Sequence, residues 1–161
     1  MATGEGASGT GAAQGAGVLS GELRIEGEVS TPRTFDSEAL AALPGQVADV
    51  SSVAAGRTGV AVALASILDA VAPTEGAGWI TLESDDGDFS ASVQRSELGG
   101  AIVIHAAPDG PLPRELGGPY RFLIPDAAAC KTGGADRCAT VKFLGRITVS
   151  AAPGRDTRKV T

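Results

Sequence analysis

The chain is expected to form an α+β domain with a mixed, largely β core of seven or eight short strands and two short helices. Three observations carry that expectation. Apolar and polar residues alternate with a period of two in several short segments. Only two segments space their apolar residues as a helix face does. Gly, Pro and Asp clusters break the chain at short intervals, as turns between strands require.

Residues 1–21 hold Gly, Ala, Ser and Thr with almost no bulky apolar side chain, so burial cannot offset the entropy of ordering them, and a flexible tail is expected. The folded domain is expected over 22–150. Leu23, Ile25, Gly27 and Val29 alternate with Arg24, Glu26 and Glu28, which predicts a half-buried strand. The run from Thr34 to Ser37 offers helix N-caps, and a short helix over Glu38 to Leu43 is stopped by Pro44-Gly45. Val47 to Ser52 reads as a weak strand, broken by Ala54 to Gly59. Val60, Leu64, Ile67, Leu68 and Val71 then lie on one helix face that Pro73 ends. Trp79 to Glu83 and Phe89 to Val93 read as two strands joined by a turn through Asp86-Gly87, since Asp-Gly supplies the positive φ of a tight hairpin. Ala101 to Ala106 is a buried strand, Pro108 to Pro113 a turn-rich link, and Tyr120 to Ile124 an apolar strand with an arginine inside it. A basic strand is expected from Val141 to Val149. Residues 151–161, charged after Pro153, are expected to fray.

The chain has 161 residues, 13 basic against 19 acidic, for a net charge of −6. That balance argues against nucleic acid, whose phosphates need a basic face. No apolar run reaches the roughly 18 residues that span a bilayer, and no leader pattern is seen, so a soluble cytoplasmic protein is expected. Two cysteines and one histidine are too few for a zinc site built of those residues alone. Cys130 and Cys138 are close enough in sequence to pair, and a disulfide and two free thiols both stay open. His105, at the end of an apolar strand, reads as a structural or surface residue. Asp85, Asp86 and Asp88 read as a turn, since they lack the spaced ligands of a calcium loop.

Arg121 draws attention because a charge in a strand fit for burial needs a partner. A carboxylate, Asp126 or Glu115, would serve; so would a bound anion. The surrounding stretch, with Gly117 or Gly118, Pro119, Arg121 and Pro125 followed by Val141, Lys142, Phe143, Leu144, Arg146 and Ile147, resembles the molybdopterin-binding domain of the sulfite oxidase family. Members carry a G-x-P-x-R-x-x-x-P turn and then a V-K-W-L-x-R-I strand. The order of strand, Pro-containing turn, Phe and short helix near the start is also similar, as is Gly59 before a leucine-rich helix, although Thr58 stands where the family usually has tryptophan.

The resemblance implies a molybdopterin cofactor, with Arg121 and Lys142 beside the pterin phosphate. A guanidinium fork and an ammonium suit that group. For Lys142 the other reading is a residue on the solvent face of an alternating strand. The resemblance also implies a metal-ligating cysteine after the first helix, but Ala48 to Val53 contains none. Asp49, Ser51 or Ser52 would be the oxygen substitutes. A histidine expected five residues before the arginine is Leu116 here, and the loop before Gly59 is short. Two functions therefore follow: a molybdopterin-binding oxidoreductase-like domain lacking its thiolate, or a binding or structural module on the same scaffold without cofactor. The three departures favour no turnover and no bound molybdenum. A redox or scaffold protein is the expected partner.

Overall fold

The computed structural model describes residues 21–54, 56–125 and 140–157, with nine strands and two α-helices among them. In chain order these are β1 (Leu23–Gly27), β2 (Arg33–Phe35), α1 (Ser37–Ala41), β3 (Gln46–Val47), β4 (Val60–Ala63), α2 (Leu64–Val71), β5 (Trp79–Ser84), β6 (Ser90–Gln94), β7 (Ile102–Ala106), β8 (Arg121–Leu123) and β9 (Leu144–Ser150). Short 3-10 turns lie at Val50–Ser52, Arg95–Glu97 and Arg114–Leu116. The mixed, largely β fold is the one expected.

The strands form two sheets. One has the order β2-β1-β9-β5-β6, and the other the order β3-β4-β7-β8. Among the described strands only β1 and β9 run parallel; every other pair is antiparallel. Pairing Ile147 with Ile25 on one side and Leu82 on the other makes β9 a central strand that joins the two ends of the domain. The inner faces of both sheets, with Ile25, Ile147, Leu82, Val62, Val103 and Phe122, share the main core with Leu64, Ile67, Leu68 and Val71 of α2. These are the helix positions expected from the 3.6-residue spacing. Val60, placed on the same helix face by sequence, instead lies in β4. Val60 and Val62 are β-branched and suit a strand, and α2 begins only after Ala63.

The segment expected as a strand over Val47 to Ser52 divides. Gln46–Val47 pair with β4, and the Asp49 carboxylate then accepts the Ser51 N–H at 3.0 Å and starts a 3-10 turn. The C-terminal strand, β9, is also shorter than expected. Val141 makes an isolated bridge with Phe122 of the smaller sheet, whereas Leu144 onward belongs to the larger one. Phe143 makes the crossing with φ of 57°, so Lys142 sits in a crossover and not on an alternating strand.

The far face of the smaller sheet carries a second core of Val50, Ala54, Ala61, Ile102, Ile104, Ala107, Leu112 and Leu123. Val47, Ala61, Ile104 and Arg121 face one another across the four strands, in one row on that face. Three strand spacings place Val47 and Arg121 about 14 Å apart. Residues 49–54 pack over this face, because Val50 and Ala54 are buried in the second core.

Past Pro153, where fraying was expected, the chain runs along the outer edge of β6. Ser90 Oγ donates to the Arg155 carbonyl at 2.7 Å, Thr157 N donates to the Ser90 carbonyl at 2.8 Å, and Gly154 N donates to Ser92 Oγ at 2.8 Å. Residues 1–20, and Cys130 and Cys138 with their possible bridge, lie outside the described residues. No helix among the described residues is long and apolar enough to cross a membrane.

Candidate functional site

The turn before β8 is set by two glycines. Gly117 takes φ of 93°, a left-handed conformation that glycine adopts at no steric cost. A Cβ on Gly118 would come within 1.8 Å of the Leu112 carbonyl oxygen, so no side chain fits there. Past the cis peptide bond to Pro119 the chain enters β8 with Arg121 as its first residue. A Cβ on Gly117 would lie 3.0 Å from Arg121 Cδ and 3.3 Å from Lys142 Cγ. The absent side chain thus leaves a cradle in which these two basic residues meet. The Phe143 N–H donates to the Gly117 carbonyl at 2.7 Å and fixes the crossover against the turn. The two residues singled out by sequence are brought together from segments about twenty positions apart.

Arg121 is half-buried, and its only described polar contact is a long one, Nη1 to the Leu116 carbonyl at 3.3 Å. Its Nε is buried without a hydrogen-bond partner. No ion pair among the described residues includes it. Burial, and then the positive charge of Arg57, push its pKa below that of an ordinary arginine. Glu115, proposed from sequence as a partner, is exposed and makes no ion pair among the described residues, and Asp126 lies outside them. Arg57 was missed by sequence reasoning. It lies in an irregular segment with no periodicity to mark it, and it enters only through its charge, which helps to lower the Arg121 pKa.

A guanidinium with an unused buried N–H and a lysine beside it is the electrostatic complement of an oxyanion. Such groups form charge-assisted bonds about twice as strong as neutral ones. The donor chemistry therefore fits the phosphate of a pterin cofactor.

The other candidates are occupied locally. Asp49 accepts from Ser51 Oγ at 2.6 Å as well as from Ser51 N, and these two bonds hold its carboxyl below the usual range. Ser52 Oγ donates to the Asp49 carbonyl at 2.7 Å. His105 is buried, and its Nε2 lies 3.0 Å from Gln46 Oε1. Gln46 Nε2 donates to the carbonyls of Leu40 and Leu43, which fixes the amide and makes His105 Nε2 the donor. Burial lowers the His105 pKa. This is a structural histidine. In the hairpin turn Asp86 Oδ1 accepts from Ser84 Oγ at 2.7 Å and Asp88 N at 2.9 Å, while Asp85 binds Arg114 at 2.7 Å. Among the described residues no group of three or more His, Cys, Asp or Glu is placed to hold a metal ion.

A separate cleft of about 610 Å³ lies along the larger sheet, lined by Arg24, Glu83, Asp86, Arg146 and Arg155 among others. It does not include Arg121 or Lys142. Its cations are already matched: Arg146 with Glu26 and Glu83 at 3.7 and 3.4 Å, Arg155 with Glu83 at 3.9 Å, and Arg24 with Glu26 at 3.8 Å. Volume favours that cleft, and unmet charge favours Arg121. Unmet charge is the better guide to a ligand, because a buried donor without a partner carries a cost that a ligand removes.

The family model described as the oxidoreductase molybdopterin binding domain matches residues 51–157. No curated protein matches the chain. Among solved structures, the sulfane dehydrogenase SoxCD from Paracoccus pantotrophus is similar, with a TM-score of 0.62 and 18% sequence identity over 82% of this chain and 38% of that one. At that identity the likeness shows the fold, and this chain spans well under half the length of that neighbour.

Proposed function

The chain belongs to the family of oxidoreductase molybdopterin-binding domains, and from that premise we propose that it binds molybdopterin by the phosphate, with Arg121 as the principal contact and Lys142 beside it. The observation that supports this most is the half-buried Arg121 guanidinium, with its orphaned Nε and no carboxylate partner among the described residues. An empty scaffold would be expected to neutralise that charge itself, and Glu115 does not. The unmet charge moves the balance from the empty scaffold towards a cofactor-binding one.

When bound, the cofactor supplies molybdenum for moving an oxygen atom or an electron pair. The chain's own residues do less. Where the resemblance places a sulfur ligand, residues 48–53 offer only Asp49, Ser51 and Ser52, and the Asp49 carboxylate is tied to its own turn. Leu116 stands in place of the expected histidine and is 47% exposed, with no group able to move a proton. The function we assign is therefore cofactor binding through the phosphate, without a protein thiolate from this segment and without turnover that depends on one.

The reading is tested by expressing wild-type protein and Arg121→Ala in a host that makes the cofactor and measuring pterin fluorescence after oxidation. Wild type is expected to retain pterin and Arg121→Ala to lose it, since charge-assisted bonds of about 1.5–3 kcal/mol each are removed. Lys142→Ala is expected to weaken retention less, because a flexible, exposed ammonium acts as a point charge. Equal retention by Arg121→Ala and wild type would overturn the assignment.

A further inference from the structure

We propose that Arg57 is a third cation of the Arg121 site and makes it select doubly charged oxyanion groups, of the phosphate monoester kind, over singly charged ones. This rests on the reading of Arg121 as an anion site, and adds to it a residue and a ligand charge.

Arg57 is half-buried, yet no ion pair or side-chain hydrogen bond among the described residues includes it. Its position is fixed from behind. The Arg57 N–H donates to the Ala54 carbonyl at 3.1 Å, and Ala54 is buried in the second core with Ile104 and Leu123. Ile104 is the direct cross-strand partner of Arg121, and Leu123 lies two residues along β8 on the same face. The same packing that covers the sheet thus holds the Arg57 backbone over the face from which Arg121 emerges. Two residues on, a Cβ on Gly59 would lie 3.1 Å from Ile104 Cγ2, so the Arg57 segment borders the strand row that ends at Arg121. After burial, the Arg57 charge is the second cause that lowers the Arg121 pKa.

Four other arginines, Arg24, Arg114, Arg146 and Arg155, each have a carboxylate within 4 Å, and Arg33 and Arg95 are exposed to solvent. Two like charges held together by packing destabilise the site unless a counter-charge lies between them. A monoanion compensates one guanidinium and leaves the other facing it. A dianion compensates both. Lys142 is exposed, so its charge is more strongly screened and discriminates less.

The test uses two tetrahedral monoesters of the same shape at pH 8 and fixed ionic strength. Methyl phosphate is a dianion there, because the second proton of a phosphate ester leaves near pH 6, and methyl sulfate is a monoanion. Calorimetric titration is carried out on the full chain, purified from a host unable to make the cofactor. Wild type is expected to bind methyl phosphate about tenfold or more tightly than methyl sulfate. Arg57→Gln is expected to reduce that preference to about threefold or less while changing methyl sulfate affinity by less than about threefold. Arg57→Lys, which keeps the charge, is expected to restore most of the preference and to show that the loss in Arg57→Gln does not come from misfolding. An unchanged preference in Arg57→Gln, or no preference in wild type, would overturn the proposal and leave the reading of Arg121 intact. Indifference of both affinities to Arg121→Gln would instead overturn the anion site itself.

Discussion

Replacing Arg121 with methionine should stabilise the protein when no anion is bound. Methionine keeps the length and bulk of the side chain and removes the charge. The guanidinium leaves a buried Nε without a partner, and an unsatisfied buried donor costs about 1–3 kcal/mol. Arg121 is only half-buried, so the lower end of that range applies. Against it stands the loss of the contact to the Leu116 carbonyl at 3.3 Å, a long bond worth at most ~0.5 kcal/mol. Relief of repulsion with Arg57 adds in the same direction as the removed penalty. The net expectation is a gain of ~0.5–1 kcal/mol, which for a domain of this size raises Tm by about 1–4 °C. The assay is thermal unfolding followed by circular dichroism, on cofactor-free protein in a zwitterionic buffer at low salt. Added inorganic phosphate should then raise the wild-type Tm and leave the variant's unchanged, by mass action on the folded state. A loss of ~1 kcal/mol or more in Arg121→Met would refute the reasoning, because it would mean that a carboxylate neutralises Arg121.

Gly118→Ala should prevent folding or cost more than ~3 kcal/mol, since its Cβ would meet the Leu112 carbonyl at 1.8 Å; soluble yield and Tm report this. Deleting 153–161 removes the hydrogen bonds that Ser90 and Ser92 share with Gly154, Arg155 and Thr157, and should lower stability by about 2 kcal/mol in denaturant unfolding. Because burial lowers the pKa of His105 in the folded state, the unfolded chain binds the extra proton more readily. Stability should therefore be full above the unfolded value of ~6.5 and fall as pH drops below it. His105→Gln should remove that part of the pH dependence, and an unchanged Tm profile between pH 7 and 5 would contradict the assignment.

Much of the domain is legible in sequence because its signals are local. The Asp-Gly hairpin, the apolar face of α2 and the placing of Arg121 in an apolar strand each depend on residues a few positions apart. What was misread depends on partners far along the chain. Val60 satisfies a helical spacing and a strand equally well, and only its pairing across to Ala106 decides for the strand. Val141 to Val149 has the composition of one strand, yet its two ends belong to different sheets, and the left-handed Phe143 between them leaves no mark in an apolar run. The site divides in the same way. Arg121 and Lys142 stand out through motif spacing, whereas Arg57 gains meaning only when Ala54 packs over the row that ends at Arg121.

The most direct measurement is the pterin content per chain of wild-type protein made in a host with the complete cofactor pathway, read by oxidative fluorescence and by native mass spectrometry. Binding through Arg121 predicts close to one pterin per chain, displaced by excess inorganic phosphate. Wild-type protein that carries no pterin under those conditions would contradict the assignment and leave an empty scaffold.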